Sequence, residues 1–207
     1  MEPRSGCSAH RASGMDHRAD LLYPLRECYD RMGEVPPAIA RLDGEEMPQP
    51  YRRLLVHDRD MTPTLEAAFG QPVHLRVMQQ WISGELLTRQ VLLVLDREGV
   101  PVVFGAIRIH LDAFPLPARE EILQGHTPLG AILQHHRLEH QSRPRAFIRV
   151  QADGPISRAL RGPSPGSLLY GRLNRLRSLQ EETLAEILEI LPPMQEGGGQ
   201  GMRIQSN

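Results

Sequence analysis

Hydrophobic and polar positions alternate in a way that predicts a chain built mostly of strands. The centre is residues 86–111, LLTRQVLLVLDREGVPVVFGAIRIHL, where two apolar runs flank Asp96-Arg97-Glu98-Gly99. A short polar insert ending in Gly between two β-rich runs reads as a β-hairpin. Residues 91–95 are continuously apolar, which predicts a strand covered on both faces. Residues 72–81 alternate Val73, Leu75 and Val77 with His74, Arg76 and Met78, the pattern of a half-buried strand. Residues 145–150 are β-like, and the apolar runs 168–176 and 183–191, separated by the polar 178–182, read as a second hairpin.

Helices are fewer. Leu21, Leu22, Leu25, Cys28 and Tyr29 have helical spacing, and Gly33 ends that segment. Prolines 36, 37, 48 and 50 mark a long connection with at most a short helix over 38–42. Leu54, Leu55 and Val56 form a short buried segment or a helix start. Thr62-Pro63 predicts a helix over 63–69, with the Thr62 hydroxyl as cap and Gly70 as stop. Further helices are expected over 118–123 and from Leu129 to 133, continuing toward Leu138. Residues 154–166, rich in Gly and Pro, read as a loop. Residues 1–18 and 194–207 read as disordered tails around one domain, 19–193. The fold class expected is α+β: a single domain with a twisted antiparallel sheet and helices packed on it.

Composition narrows the chemistry. The chain of 207 residues carries a formal net charge of −1, which gives no electrostatic pull toward nucleic acid or an anionic membrane. All 24 basic residues are Arg, so Schiff-base, P-loop and pyridoxal lysines are excluded together. Two cysteines, Cys7 and Cys28, make no disulfide framework. No apolar run is long enough to span a bilayer, and no secretory signal is evident, so a cytoplasmic protein is expected. No helix-turn-helix is legible in residues 1–50.

Three groups of residues hold candidate chemistry. His135, His136 and His140 lie close together on an expected helix, where His136 and His140, four apart, face one side; no HExxH pattern accompanies them, and no metal is expected. Arg89 sits at the entrance of the central strand. It reads either as a solvated strand end or as a guanidinium placed for a two-pronged grip on a carboxylate. Glu186 and Glu189 interrupt the apolar run LAEILEIL. On a strand they point to opposite faces, so at most one faces inward, where desolvation would raise its pKa. On an amphipathic C-terminal helix both would lie outside.

The order of motifs resembles the chorismate pyruvate-lyase family. Leu54-Leu55 followed by Asp60-Met61-Thr62, then Thr88-Arg89-Gln90-Val91-Leu92-Leu93, the return strand 101–105, Gly125-His126-Thr127-Pro128-Leu129-Gly130, and Tyr170-Gly171-Arg172 with Glu189 before Ile190-Leu191-Pro192 carry the resemblance over roughly residues 50–193. Better-known members carry Gly-Arg-Thr where this chain reads Gly105-Ala106-Ile107. The resemblance implies a buried ligand cavity beneath helical flaps and cofactor-free elimination of pyruvate from chorismate to give 4-hydroxybenzoate. Arg89 would hold the ring carboxylate and Glu189 would meet the ring oxygen, with Glu186 as the alternative. Met61, Thr62 and Leu129 would line the substrate site. The implied partner is a small-molecule substrate, with no cofactor, metal, nucleic acid or membrane. The alternative from another class is a non-catalytic protein that binds a small aromatic carboxylate on the same fold.

Overall fold

The computed structural model describes residues 20–195 and 202–203. Its frame is a seven-stranded, wholly antiparallel sheet in the order β1-β5-β6-β7-β4-β3-β2. The strands are β1 (Ile39–Leu42), β2 (Val73–Ser83), β3 (Leu86–Leu95), β4 (Pro101–His110), β5 (His140–Gln151), β6 (Leu168–Ser178) and β7 (Thr183–Leu191). The helices are α1 (Leu25–Met32), α2 (Tyr51–Leu55), α3 (Met61–Phe69), α4 (Leu116–Gln124), α5 (Leu129–His135) and α6 (Gly154–Leu160). The fold is the single α+β domain that the alternation predicts. No helix among the described residues is long and apolar enough to cross a membrane.

The sheet is covered on both faces, which explains why β3 is apolar without a break. Leu92 and Val94 join Phe104, Ala106, Ile148 and Leu188 in a core closed by Leu25, Cys28 and Tyr29 of α1 and by Ile156 and Leu160 of α6. Leu93 and Leu95 face the other way, toward Leu54 and Leu55 of α2 and Leu65 of α3. Leu87, Ile107 and Ile109 meet Ile122 of α4 and Ile132 and Leu133 of α5 on that same side. A strand sandwiched in this way has no polar face to show.

Several local expectations differ from the structure. Residues 39–42 pair with β5 as an edge strand rather than coiling into a short helix; Ile39 lies opposite Val150. Residues 154–160 form a helix, not a loop, because Asp153 caps it: its carboxylate accepts from the Ile156 N–H at 2.9 Å, and Pro155 fits the first turn. α3 begins at Met61, two residues before the expected start, with Asp60 at the N-cap. Thr62 is therefore inside the first turn and does not cap it. α5 stops at His135, and His140 opens β5, so His136 and His140 do not share a helix. Gly33, Gly70 and Gly125 close α1, α3 and α4 with left-handed backbone, as a helix-terminating glycine does. Cys28 is a buried free thiol, and Cys7 lies outside the described residues. The expected tails also lie outside them, apart from Met194–Gln195 and Met202–Arg203, which pair in parallel.

Candidate ligand-binding site

The sheet's alternation sorts the candidate residues before any contact is considered. On β3, Arg89 and Val91 point toward the side that α2 to α5 cover, while Thr88 and Gln90 point toward α1. Arg89 lies opposite Ile107 of β4, and Gly105 of β4 lies opposite Glu189 of β7. Arg89 and Glu189 thus project from one face, two strands apart and offset by two residues. With strands about 4.8 Å apart and about 3.4 Å per residue, their Cα atoms are roughly 12 Å apart. Gly105 lies between them and leaves space where a side chain would stand.

That space is a cavity of about 80 Å³. Arg89, Glu189, Met61, Thr62 and Leu129 all line it, and Leu75, Leu93, Val103 and Ile187 supply apolar wall. α3 and the start of α5 roof it. The roof packs closely, with the Gly130 backbone against Thr62. A cavity of about 150 Å³ holds benzene. A ring enters this one only when α3 and α5 move outward.

Arg89 is 3% exposed. Its Nε donates to Gln80 Oε1 at 3.0 Å, and its Nη2 donates to the Ile122 carbonyl at the end of α4. No carboxylate among the described residues pairs with it. Burial alone pulls its pKa down to about 10. A buried cation without a counter-charge is costly. The solvated-strand-end reading of Arg89 is excluded.

Glu189 is held differently. Arg172, fully buried on β6 directly opposite, donates from Nε to Glu189 Oε2 at 2.6 Å. The remaining guanidinium N–H groups of Arg172 reach the main chain just before α3: Nη1 donates to the His57 carbonyl at 3.1 Å and Nη2 to the Arg59 carbonyl at 3.2 Å. Burial and the Arg172 charge together push the His57 imidazole below its usual pKa. Arg172 thus ties the Glu189 end of the cavity to the segment that leads into its roof. The two strands approach closely here. A Cβ on Gly171 would lie 2.2 Å from the Glu189 carbonyl oxygen, so only glycine fits.

Glu186 is not in the cavity. As the alternation requires, it faces α1. Arg175 Nη2 donates to Glu186 Oε1 at 2.9 Å, and His110 and Tyr23 flank it. Desolvation would raise its pKa, but the neighbouring His110 imidazole and the hydrogen-bonding Arg175 and Tyr23 side chains outweigh that and hold it at about 2. The expected raised carboxylate is absent at this position, and Glu186 drops out as the alternative partner of Arg89.

Two cavity residues carry no signal that the sequence reading used. Asn174, 3% exposed, donates from Nδ2 to Ser142 Oγ at 2.9 Å, while its Oδ1 is buried without a partner. Asp60 accepts from His140 Nε2 at 2.8 Å through Oδ2, and its buried Oδ1 has no hydrogen bond. Arg172, Asn174 and Leu176 share one face of β6. Polar residues at alternating positions of a buried strand are the pattern that marks them.

No protein-family model and no curated protein matches this chain. Solved structures resemble it in fold. PhnF from Mycobacterium smegmatis is similar with a TM-score of 0.50 at 11% identity, over 67% of this chain and 66% of that one. The ligand-binding domain of a putative GntR-family transcriptional regulator from Bordetella bronchiseptica gives 0.44 at 14%, over 58% and 85%. The C-terminal domain of the histidine utilization repressor from Pseudomonas syringae pv. tomato str. DC3000 gives 0.40 at 17%, over 61% and 98%. The resemblance to the chorismate pyruvate-lyase family holds as a likeness of fold, the one shared with such regulator domains. The expected activity does not hold. Structures among those that match are described as transcriptional regulators or their ligand-binding domains, not as enzymes that split chorismate into pyruvate and 4-hydroxybenzoate, the activity expected from the sequence. The geometry differs from the expected site at one point: the Glu189 carboxylate is ion-paired with Arg172.

Proposed function

We propose that this domain is a non-catalytic binding module for a small, flat aromatic carboxylate. Arg89 grips the carboxylate, the apolar walls of β2, β3, β4 and β7 take the ring, and Met61, Thr62 and Leu129 close over it. Glu189 and Asn174, both acceptors at the far end, favour a ligand with a hydrogen-bond donor opposite its carboxylate. The single observation behind this reading is Arg89: a guanidinium buried against an apolar cavity, with no acidic partner among the described residues. A bound carboxylate supplies the charge that the protein withholds, and it does so by a charge-assisted contact. Capture without chemistry fits a site whose two acids, Asp60 and Glu189, are each already engaged, with His140 and Arg172.

Calorimetric titration with benzoate and its neutral isostere benzamide, followed by chromatography of the bound ligand, tests the proposal. Benzoate should bind one to one and be recovered unchanged, benzamide should bind at least about tenfold more weakly, and Arg89→Met should abolish the difference. Equal binding of the two probes, or a chemically altered ligand, overturns it.

A further inference from the structure

A second cluster lies on the helices that adjoin the cavity, and nothing in the binding reading uses it. Glu121 of α4, His135 at the end of α5 and His136, which follows it, converge on one point. Glu121 Oε2 lies 2.9 Å from His136 Nε2 and 3.3 Å from His135 Nδ1, and all three ligand atoms fall within 4.8 Å of one another. We propose that Glu121, His135 and His136 bind a divalent transition-metal ion of the zinc class and clip α4 to α5.

The donor set suits such an ion. Imidazole nitrogen and carboxylate oxygen bind zinc at about 2.0–2.2 Å in tetrahedral sites, which places neighbouring ligand atoms about 3.3 Å apart. The two short separations, 2.9 and 3.3 Å, come within about 0.4 Å of that spacing. An ion entering the triangle would replace two hydrogen bonds with three coordinate bonds and leave its fourth position to water, since His135 is 73% exposed in its side chain. The Thr127 hydroxyl lies against the same carboxylate and, with the two imidazoles, keeps Glu121 below its usual pKa. An outer partner of this kind orients a metal-binding carboxylate.

The position gives the clip a consequence. Glu121 is next to Ile122, whose carbonyl holds Arg89, and the other end of α5 supplies Leu129 and Gly130 to the cavity. A metal joining α4 to α5 therefore ties α5, which must shift for a ring to enter, to the helix whose carbonyl holds Arg89. The site itself stands on Glu121, His135 and His136 alone and does not depend on the ligand proposed above.

The test is titration of the untagged full chain with Zn²⁺, and with Co²⁺ as a spectroscopic probe, at pH 7.5. One equivalent should bind, with visible Co²⁺ bands of the four-coordinate type and a rise in thermal midpoint. Glu121→Gln and His136→Gln should each remove the bands, Thr127→Val should weaken binding about tenfold, and His140→Gln, which lies outside the cluster, should leave them intact. Absence of stoichiometric binding overturns the proposal, and so does binding that survives in Glu121→Gln/His136→Gln.

Discussion

Replacing Arg89 by Met tests the energetic core of the account. A fall in the Arg89 pKa from its ordinary 12.5 to about 10 corresponds to about 3 kcal/mol of disfavoured charge. The folded protein holds this proton less tightly than the unfolded chain. The cost is therefore present in full below about pH 10 and is relieved as pH rises toward 12.5. Met removes the charge and keeps most of the apolar stem, but it forfeits the bonds to Gln80 and Ile122, about 1 kcal/mol each. The ligand-free variant should thus be about 1 kcal/mol more stable than wild type, a rise of about 2–4 °C in midpoint for a domain of this size. With benzoate at about 100 times its wild-type Kd, wild type should gain about 2.7 kcal/mol and the variant, binding at least about tenfold more weakly, about 1.4 kcal/mol or less. Differential scanning calorimetry with and without benzoate reads both effects. A ligand-free variant destabilised by more than about 2 kcal/mol, or equal stabilisation of both proteins by benzoate, refutes the reasoning.

Other predictions follow from particular contacts. Glu186, held at about 2, contributes stability that is complete above pH 4.5 and is lost as pH falls toward 2; urea unfolding of Glu186→Gln should show a flatter pH dependence across that window. The His140 imidazole is raised by its hydrogen bond to Asp60, so its contribution is complete below pH 6.5 and fades as pH rises through its higher folded value; in His140→Gln that fading should disappear. Gly171→Ala forces a Cβ against the Glu189 carbonyl and should cost about 3 kcal/mol or more by denaturant unfolding, whereas Gly99→Ala, with open space around it but a φ of +63°, should cost only about 1 kcal/mol.

The sheet was legible because period-two alternation and a five-residue apolar run leave few other folds. Arg89 and Glu189 could be assigned to one face from strand parity, once the order of β3, β4 and β7 was known. Parity also separated Glu186 from Glu189. What stayed hidden depended on partners far along the chain. Nothing near Arg172 announces that it will bind both Glu189 and the His57 and Arg59 carbonyls. Nothing near Glu121 in the chain marks it either; α5 folds back and brings two imidazoles to it. A helix limit failed where a cap overrode composition: Asp153 turned a Gly/Pro-rich stretch into α6. The enzymatic reading failed for another reason. Motif order tracks the fold, whereas function depends on the site, and whether an acid such as Glu189 stands free or ion-paired is a tertiary property.

The most direct measurement is a crystal structure of the protein grown with benzoate. The account predicts density for a ring between Gly105 and Leu129, its two carboxylate oxygens on the Arg89 guanidinium, and α3 and α5 displaced outward. An unchanged, empty cavity at saturating benzoate, or a ligand seated away from Arg89, would contradict it.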